Sequence, residues 1–394
     1  MRALRVSFVA PFGLWRRGTT RARVIPLAKA LAELGHQVRV VIPDWDCPAD
    51  AGRRYRVGGA EVVHLGAALA NRVLLSPRLL HQTYRAALDG RPDIVHCFKP
   101  IGYSGAVALL LGGRARRQGW AGTLAVDTDD LEGRDGWATR DGRPSWQVRL
   151  LECQERAVVR AADLLSCASV ALVEAARSHR ANQTAPTYLP NGVDLPACTP
   201  PGRKHQAHDH SPPRLLMYTR FNEFTPARGA AIVADILKSA PAARLEVVGD
   251  GPAAARAAFL VAIARQGLAR RVRHRGLLTG SELGEALTGD AVALWLFDDN
   301  AINRARSPAK LLELLAYGKA LVAEAIGEVP GLVGDAAVLT TLTAPAETVR
   351  ATVELLSMPE RCAELGCAAR RRAGAHATWR SRARALVSSY LLYT

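Results

Sequence analysis

Short apolar runs alternate with longer amphipathic stretches through most of the chain. Residues 4–10, 37–42 and 60–65 are compact apolar runs bounded by turn residues, which is typical of buried strands. Residues 74–88 and 147–160 instead place apolar side chains three and four positions apart, as an amphipathic helix does. Strands that alternate with helices in this way predict a parallel sheet with helical crossovers.

The same alternation begins again after a segment that has no apolar period. Residues 195–213 hold five prolines and three histidines, which predicts an exposed linker; clustered histidines as a metal site are the alternative. We therefore place one domain at residues 1–194 and a second at residues 214–377. The strands expected in the second domain are residues 214–219, 243–248, 272–275, 291–297 and 320–325.

Composition fits a folded protein with two cores, and the net charge adds a constraint on its partners. The 394 residues are 49% apolar and 22% charged, whereas the formal net charge is +16. Such a charge favours anionic partners such as nucleotides, nucleic acid or an acidic membrane face, although an arginine- and alanine-rich composition can also follow from a GC-rich genome. We expect no nucleic-acid partner, because no basic motif is interleaved with aromatic residues.

Cysteine usage and hydropathy bear on where the protein works. Seven cysteines occur without a Cys-x-x-Cys pair, which favours reduced thiols over a disulfide framework or a zinc site. The chain enters a strand-like run at once, and no uncharged apolar stretch reaches about 18 residues. These features predict a cytoplasmic protein and leave association with a membrane surface open.

Residues 306–323 (RSPAKLLELLAYGKALVA) carry the most informative chemistry. Ser307 suits a helix cap, Pro308 suits the first turn, and the leucines that follow form an apolar stripe. A helix start that carries Ser307, Lys310 and a nearby arginine attracts an anion, and Glu313 can accept hydrogen bonds from ribose hydroxyls. The pattern indicates a nucleotide site; a core helix with a solvated Lys310–Glu313 pair is the alternative.

This run resembles the donor-binding helix of GT-B-fold retaining glycosyltransferases, the large family 4 group. The match consists of Glu313, Ala316 and Gly318, preceded by a Ser-Pro-x-Lys-x-x-Glu pattern. Many members carry a second glutamate eight residues earlier, where this chain has Ala305. Further motifs of the family occur in order, namely LPNGVD at 189–194, Arg220, Arg228-Gly229 and GDGP at 249–252.

The resemblance implies an α/β protein of the GT-B fold, with two Rossmann-like domains that face an interdomain cleft. It implies that residues 378–394 form a last helix that crosses back to the first domain. The implied activity is a metal-independent hexosyltransferase reaction that retains anomeric configuration, with a nucleotide-sugar as donor and no other cofactor. The acceptor is a sugar, a lipid-linked sugar or a small molecule.

The resemblance also implies roles for individual residues. Arg220, Arg228 and Lys310 neutralise the departing diphosphate, with Arg228 in place of the usual lysine. Glu313 holds the ribose, and the backbone at Leu277 faces the base. The donor-binding positions are Gly18, Gly249, Asp250, Leu277, Ser307 and Glu313.

Acidic residues end the predicted strand at residues 124–131, where the family has His-Asp close to the donor sugar. Asp129 takes the histidine position and Asp130 the aspartate position. A carboxylate accepts hydrogen bonds from sugar hydroxyls but does not donate when ionised. We favour a sugar or acceptor contact for Asp129, over a Mg²⁺ or Mn²⁺ site with Asp127 or a structural role.

Two other functions remain open from the sequence. A sugar-nucleotide epimerase of the same fold would turn over without an acceptor, although its usual catalytic acids are not obvious. A non-catalytic nucleotide-sugar-binding protein is favoured by the departures from the family pattern at Ala305, Asp129 and Arg228.

Overall fold

The protein divides into two compact units. The computed structural model describes residues 2–14, 18–66, 75–180, 184–196 and 212–394, without the side chain of Arg114. The first unit comprises Met1–Gly192, Arg304–Ser307 and Trp379–Thr394, and the second comprises Val193–Asn303 and Pro308–Thr378. Most of the segment predicted as a linker, including its three histidines, lies outside the described residues.

The first unit is built on an eight-stranded sheet in the order β3-β4-β2-β1-β5-β6-β7-β8. Neighbouring strands run parallel except for the β3–β4 pair. The strands are β1 Arg5–Val9, β2 Gln37–Pro43, β3 Arg54–Val57, β4 Ala60–Leu65, β5 Ile94–Phe98, β6 Thr123–Thr128, β7 Leu164–Cys167 and β8 Thr187–Tyr188. The sequence analysis missed β3, whose alternation of exposed and half-buried residues is that of an edge strand.

Helices cover the sheet of the first unit. They are α1 Ile25–Glu33, α2 Pro77–Leu88, α3 Gly102–Leu110, α4 Trp137–Arg140, α5 Ser145–Ala161 and α6 Val170–Arg177. A π-helical turn, Thr20–Val24, leads into α1, and another, Leu111–Ala115, extends α3. Central strands such as β5 and β6 are buried along their whole length, as expected for a parallel sheet with both faces covered.

The second unit repeats this design with six parallel strands in the order β11-β10-β9-β12-β13-β14. The strands are β9 Arg214–Tyr218, β10 Arg244–Val248, β11 Val272–Gly276, β12 Val292–Trp295, β13 Ala320–Glu324 and β14 Val338–Thr340. The helices are α7 Pro226–Ser239, α8 Ala253–Arg265, α9 Gly280–Leu287, α10 Ala301–Ala305, α11 Ala309–Ala316, α12 Val329–Val333, α13 Pro345–Ser357 and α14 Pro359–His376. The predicted α/β class with two parallel sheets is confirmed.

A last helix, α15 Trp379–Tyr390, belongs to the first unit. Its buried residues join the core formed by α1 and the first strands. The Tyr390 hydroxyl lies 2.6 Å from His96 Nδ1 on β5. Residues 304–307 also belong to the first unit, although the chain around them belongs to the second.

Two glycine-containing segments hold short helices that the sequence analysis does not predict. Residues 133–144 include α4, whose Trp137 ring lies 4.8 Å from the Arg306 guanidinium and 5.4 Å from that of Arg140. Residues 331–334 include the end of α12, where Val329 and Val333 are buried. Helices of one turn carry too few residues to show a period, so pattern analysis misses them.

Neither Thr19 nor Thr20, just ahead of α1, caps that helix with its side chain. Thr19 is itself helical, and its hydroxyl donates to Asp129 Oδ2 at 2.7 Å. The Thr20 hydroxyl donates to the carbonyl of Phe12 at 2.7 Å. Tertiary partners have taken the hydroxyls that local capping would use.

The LPNGVD turn fastens several segments of the first unit through Asn191. Its backbone N–H donates to Ser307 Oγ at 2.8 Å, and its side-chain amide donates to the Ser307 carbonyl at 2.6 Å. The Arg23 guanidinium donates to Asn191 Oδ1 at 3.1 Å. A Cβ at the next position, Gly192, would lie 2.7 Å from the Trp379 ring, which explains the glycine.

No helix among the described residues is long and apolar enough to cross a membrane.

Candidate functional site

Two loops of the second unit meet at the carboxyl ends of β9 and β10. Thr219 and Arg220 follow β9, and the GDGP turn follows β10. A Cβ at Gly249 would overlap the Thr219 carbonyl oxygen, and one at Gly251 would overlap that of Arg220. Gly249 also has a φ of +109°, so only glycine fits this approach without strain. Ligands in open α/β sheets bind beyond this edge.

Lys310 reaches the same place from the first turn of α11. Its ammonium donates to the Thr219 carbonyl at 3.1 Å and lies 4.2 Å from the centre of the Tyr218 ring. Burial lowers the pKa of Lys310 to about 8, with Glu223 and Glu313 acting in the opposite direction. A carbonyl and a ring face do not neutralise a charge, so an anion would stabilise the ammonium here.

Arg220 stands beside Lys310 on an ordered loop. It is exposed, whereas the next residue, Phe221, is buried and has a φ of +57°. The buried Glu223 carboxylate holds the loop by accepting hydrogen bonds from Arg220 N at 3.0 Å and from the Thr219 hydroxyl at 2.9 Å. Sequence reasoning missed Glu223, because no local pattern marks a carboxylate that caps loop amides.

The remaining donor positions of the second unit lie around this edge. Asp250 accepts from Gly251 N at 2.8 Å and pairs with Arg256 on α8. Leu277, after β11, is 68% exposed. Glu313 is half-buried on α11. Burial raises the pKa of Tyr317, and the charge of Glu313 raises it further. The structure therefore brings Arg220, Gly249 and Lys310 together, with Asp250 next to them in the GDGP turn.

Arg228, predicted to face the diphosphate, is engaged by carboxylates. Its guanidinium lies 3.0 Å from Asp298 Oδ1 and forms an ion pair with the buried Glu324. Asp298 also accepts from the Thr225 hydroxyl at 2.6 Å, and Glu324 accepts from Phe297 N at 2.8 Å. The arrangement links α7 to the ends of β12 and β13, and the sequence analysis did not foresee it.

Ser307 does not cap α11, contrary to prediction. The residue before the helix is Pro308, and the Ser307 hydroxyl accepts from Asn191 instead. Ser307 belongs to the first unit, as do Gly18 and Asp129. Gly18 is exposed with open space around it, and residues 15–17 beside it are outside the described residues. A donor contact of Ser307 or Gly18 stays a prediction.

Asp129 belongs to a partly buried cluster of three acids around one buried lysine. The Lys99 ammonium lies 3.1 Å from Asp129 Oδ1 and 2.9 Å from Asp130 Oδ2, and it also pairs with Glu132. Burial works against the charge of Lys99, but the three acids outweigh it and raise the pKa of Lys99 well above its usual value. Lys99 has a φ of +63°, in the left-handed region that residues other than glycine seldom adopt.

The cluster leaves Asp129 poised near neutral pH. Burial raises the pKa of Asp129 to about 6, against the influence of Lys99 and of the hydrogen bond from Thr19. Oxygen atoms of Asp129, Asp130 and Glu132 lie within 4.8 Å of one another, as metal ligands do. The Lys99 ammonium already occupies the position between them, which disfavours a divalent cation there.

Asp127 is not part of that cluster. The alternative of a metal site would require Asp127 and Asp129 to face one ion together. Both oxygens of Asp127 lie 2.7 Å from Arg23, and it accepts from the Ser166 hydroxyl. Arg23 and Asp127 are buried. The pairing outweighs burial and lowers the pKa of Asp127. Asp127 therefore has a structural role.

Comparisons with known proteins agree with this architecture. Residues 18–192 match the glycosyl transferase 4-like domain family, and residues 228–388 match the glycosyl transferase-like family. The comparison with curated protein sequences gave no match.

Several solved structures share the fold over almost the whole chain. Sucrose-phosphate synthase from Thermosynechococcus elongatus is 18% identical with a TM-score of 0.70, covering 98% of both chains. The catalytic domain of starch synthase IV from Arabidopsis thaliana, bound to ADP and acarbose, is 14% identical with a TM-score of 0.71, covering 100% of this chain and 99% of that one. HepE from Anabaena in complex with UDP is 14% identical with a TM-score of 0.67, covering 99% and 100%. With glycosyltransferase family matches in both units and the glycine-rich edge of the second, the chain belongs to the group 1 glycosyltransferases of the GT-B fold.

Proposed function

We propose that the protein transfers a sugar from a nucleotide-sugar donor to an acceptor with retention of anomeric configuration. The observation that carries the proposal is the cationic edge of the second unit. There, Arg220 and the half-buried Lys310 stand beside a turn whose glycines leave backbone exposed to a ligand. A diphosphate is an anion of suitable size for two such cations.

Charge stabilisation is the main contribution of the protein in this scheme. As the bond between the anomeric carbon and the diphosphate breaks, negative charge grows on the leaving oxygen. Lys310 and Arg220 stabilise that charge from fixed positions, without moving a proton. Two cations on the diphosphate remove the need for a metal ion, so we propose a metal-independent reaction.

Retention requires the acceptor to attack from the face that the diphosphate leaves. The acceptor oxygen bonds to the anomeric carbon, the carbon–phosphate oxygen bond breaks, and a leaving phosphate oxygen takes the acceptor proton. The protein then needs no nucleophile. In this proposal Asp129 accepts hydrogen bonds from sugar hydroxyls, and Glu313 accepts them from the ribose.

Nucleotide-sugar binding without transfer is the second candidate function. It is favoured by Arg228, because this cation pairs with Asp298 and Glu324 instead of standing free for a leaving diphosphate. Binding without turnover for any donor and acceptor tried would support this candidate.

The deciding experiment is a screen of sugar nucleotides by thermal shift and by mass-spectrometric detection of hydrolysis, with and without EDTA. The HepE structures hold UDP and UDP-glucose, and the starch synthase structure holds ADP, so UDP- and ADP-glucose come first. We expect one donor to raise the melting temperature and to be hydrolysed slowly even with EDTA. Loss of hydrolysis with EDTA would contradict metal independence, and no response to any nucleotide would contradict the donor site.

Retention has its own test once a donor is known. When methanol is the surrogate acceptor, the product is a methyl glycoside, which keeps its anomeric configuration after it forms. We expect proton NMR to show the same configuration as the donor. The opposite anomer would show an inverting enzyme.

A further inference from the structure

Helix α5 turns an apolar stripe toward solvent. Trp146 and Leu150 are 57% and 60% exposed, and Cys153 and Ala157 continue the exposed row. The spacings of four, three and four residues place all four side chains on one side of the helix.

Arginines line the same face. Arg149, Arg156 and Arg160 are exposed, and at 100° per residue they fall on one flank of the stripe. Stripe and arginines together cover about a third of the helix circumference. The acids of α5, Glu152 and Glu155, lie toward the inner side and are only half-exposed or less. The outer face is therefore apolar along its centre and cationic along one edge.

The fold does not need this stripe. The inner face of α5 already packs on the unit through the buried Val148, Val158 and Val159. Gln154 fixes α5 against α3, accepting from Gly102 N at 3.0 Å and donating to the Gly102 carbonyl at 2.9 Å. A single exposed leucine is ordinary, but an aligned tryptophan and leucine with flanking arginines mark a binding surface.

We propose that this α5 face docks on the surface of an anionic lipid bilayer. The tryptophan and leucine would enter the boundary between headgroups and acyl chains, while the arginines bind lipid phosphates. Charge complementarity selects this occupant, because the face has arginines and no exposed acid and the whole chain carries +16. A second copy of the same face would set arginines against arginines. The proposal does not depend on the donor or on the reaction.

Vesicle flotation of the full-length protein tests the proposal. The vesicles are pure phosphatidylcholine or a mixture that contains phosphatidylglycerol, at low and at high salt. We expect binding to the anionic vesicles only, with a several-fold loss at high salt. The proposal would be overturned if the same amount of protein were recovered in the floated fraction without vesicles, or if binding did not depend on lipid charge.

Surface variants localise the contact. The double variant Trp146→Ser and Leu150→Ser, and the triple variant with Arg149, Arg156 and Arg160 changed to Gln, should each lose most of the binding. Val261→Ser on α8 is the matched control, because Val261 is 48% exposed in the second unit and should leave binding unchanged. Circular dichroism checks the fold, and donor hydrolysis on the same variants separates this result from failure of the proposed function. Flotation of these variants at the level of the parent protein would contradict the proposal. Light scattering that shows a dimer of the parent protein, lost in the stripe variant, would also contradict it.

Discussion

At the scale of single residues, the charge offered to a donor depends on which cations are already paired. Lys310 contacts a carbonyl and an aromatic ring, whereas Arg228 is held by two carboxylates. The sequence suggested both as diphosphate ligands. It could not show the difference, because Asp298 and Glu324 lie 70 and 96 residues from Arg228.

Lys310 should make donor binding dependent on pH. Its pKa is lowered to about 8 by burial, so the free site loses its ammonium above that pH. A bound diphosphate raises the pKa again, so binding takes up a proton and weakens as the pH rises from about 8 to 10. Donor affinity measured by calorimetry in buffers of different ionisation enthalpy reports both effects.

Lys310→Met is the matching variant. We expect it to lose at least tenfold in donor affinity and to lose the pH dependence above 8, with little change in melting temperature. Lys238→Met serves as a control, since Lys238 is an exposed lysine of α7 whose ammonium donates to Gln266 at 2.7 Å. Unchanged donor affinity in Lys310→Met would remove this residue from the site.

At the scale of elements, the strand-end loops of the second unit pack closely because glycines without a Cβ stand at their contact. The turn after β10 passes so close to the loop after β9 that a Cβ at Gly251 would overlap the Arg220 carbonyl. The GDGP motif was visible in the sequence, but the loop that it packs against was not.

Gly251→Ala should disturb this packing. We expect a fall in melting temperature of several degrees, equivalent to about 1–3 kcal/mol of unfolding free energy, and weaker donor binding. Gly331→Ala is the comparison, because Gly331 lies in helix α12 with open space around it and should be neutral or slightly stabilising. Equal melting temperatures for the two variants would refute the close approach.

The link from α7 to β12 and β13 through Arg228 should matter for stability. Arg228→Met leaves the buried Glu324 carboxylate without its guanidinium, a change that typically costs about 3–5 kcal/mol when one partner of a buried pair is removed. Arg228 is itself about a fifth exposed, so we expect the lower end of that range. Urea unfolding measures it; a stable variant that has lost only donor affinity would instead show that Arg228 faces the ligand.

At the scale of the whole molecule, the two units are not continuous in sequence. The first takes residues 304–307 from within the span of the second, and the last helix from beyond it. Tyr390 on α15 bonds to His96 on β5 across 294 residues, so the final helix completes a core begun at the amino end. The stability of the first unit therefore depends on the last residues of the chain.

His96 should make the first unit sensitive to acid. Burial lowers the pKa of His96 to about 4, below the 6.5 of an exposed histidine. As the pH falls from 6.5 to 4, the unfolded chain takes up a proton that the folded unit does not, so stability falls by up to about 3 kcal/mol. Urea unfolding at several pH values should show this loss, and His96→Gln should show a flatter dependence. An equal slope in the variant would assign the acid sensitivity to other groups.

What the sequence determined by itself is local. The alternation of apolar runs and amphipathic stretches placed most strands and helices, since a strand covered on both faces is apolar throughout and a helix repeats every 3.6 residues. The ordered motifs carried the resemblance to the glycosyltransferases, and the family comparisons bear that resemblance out. Helices α4 and α12 escaped because one turn is too short to show a helical period. The edge strand β3 escaped because its alternation extends over only four residues.

What only the tertiary structure decided is which charged groups meet. Asp127 and Asp129 are neighbours on one strand end, yet one pairs with Arg23 in the core and the other with Lys99. Asp127 lies in β6, which ends at Thr128, so Asp129 is beyond the strand and does not follow its alternation of faces. The order of strands in the sheet sets which loops lie beside each of the two carboxylates. Ion pairs between such distant residues follow from that order, which no local pattern in the chain records.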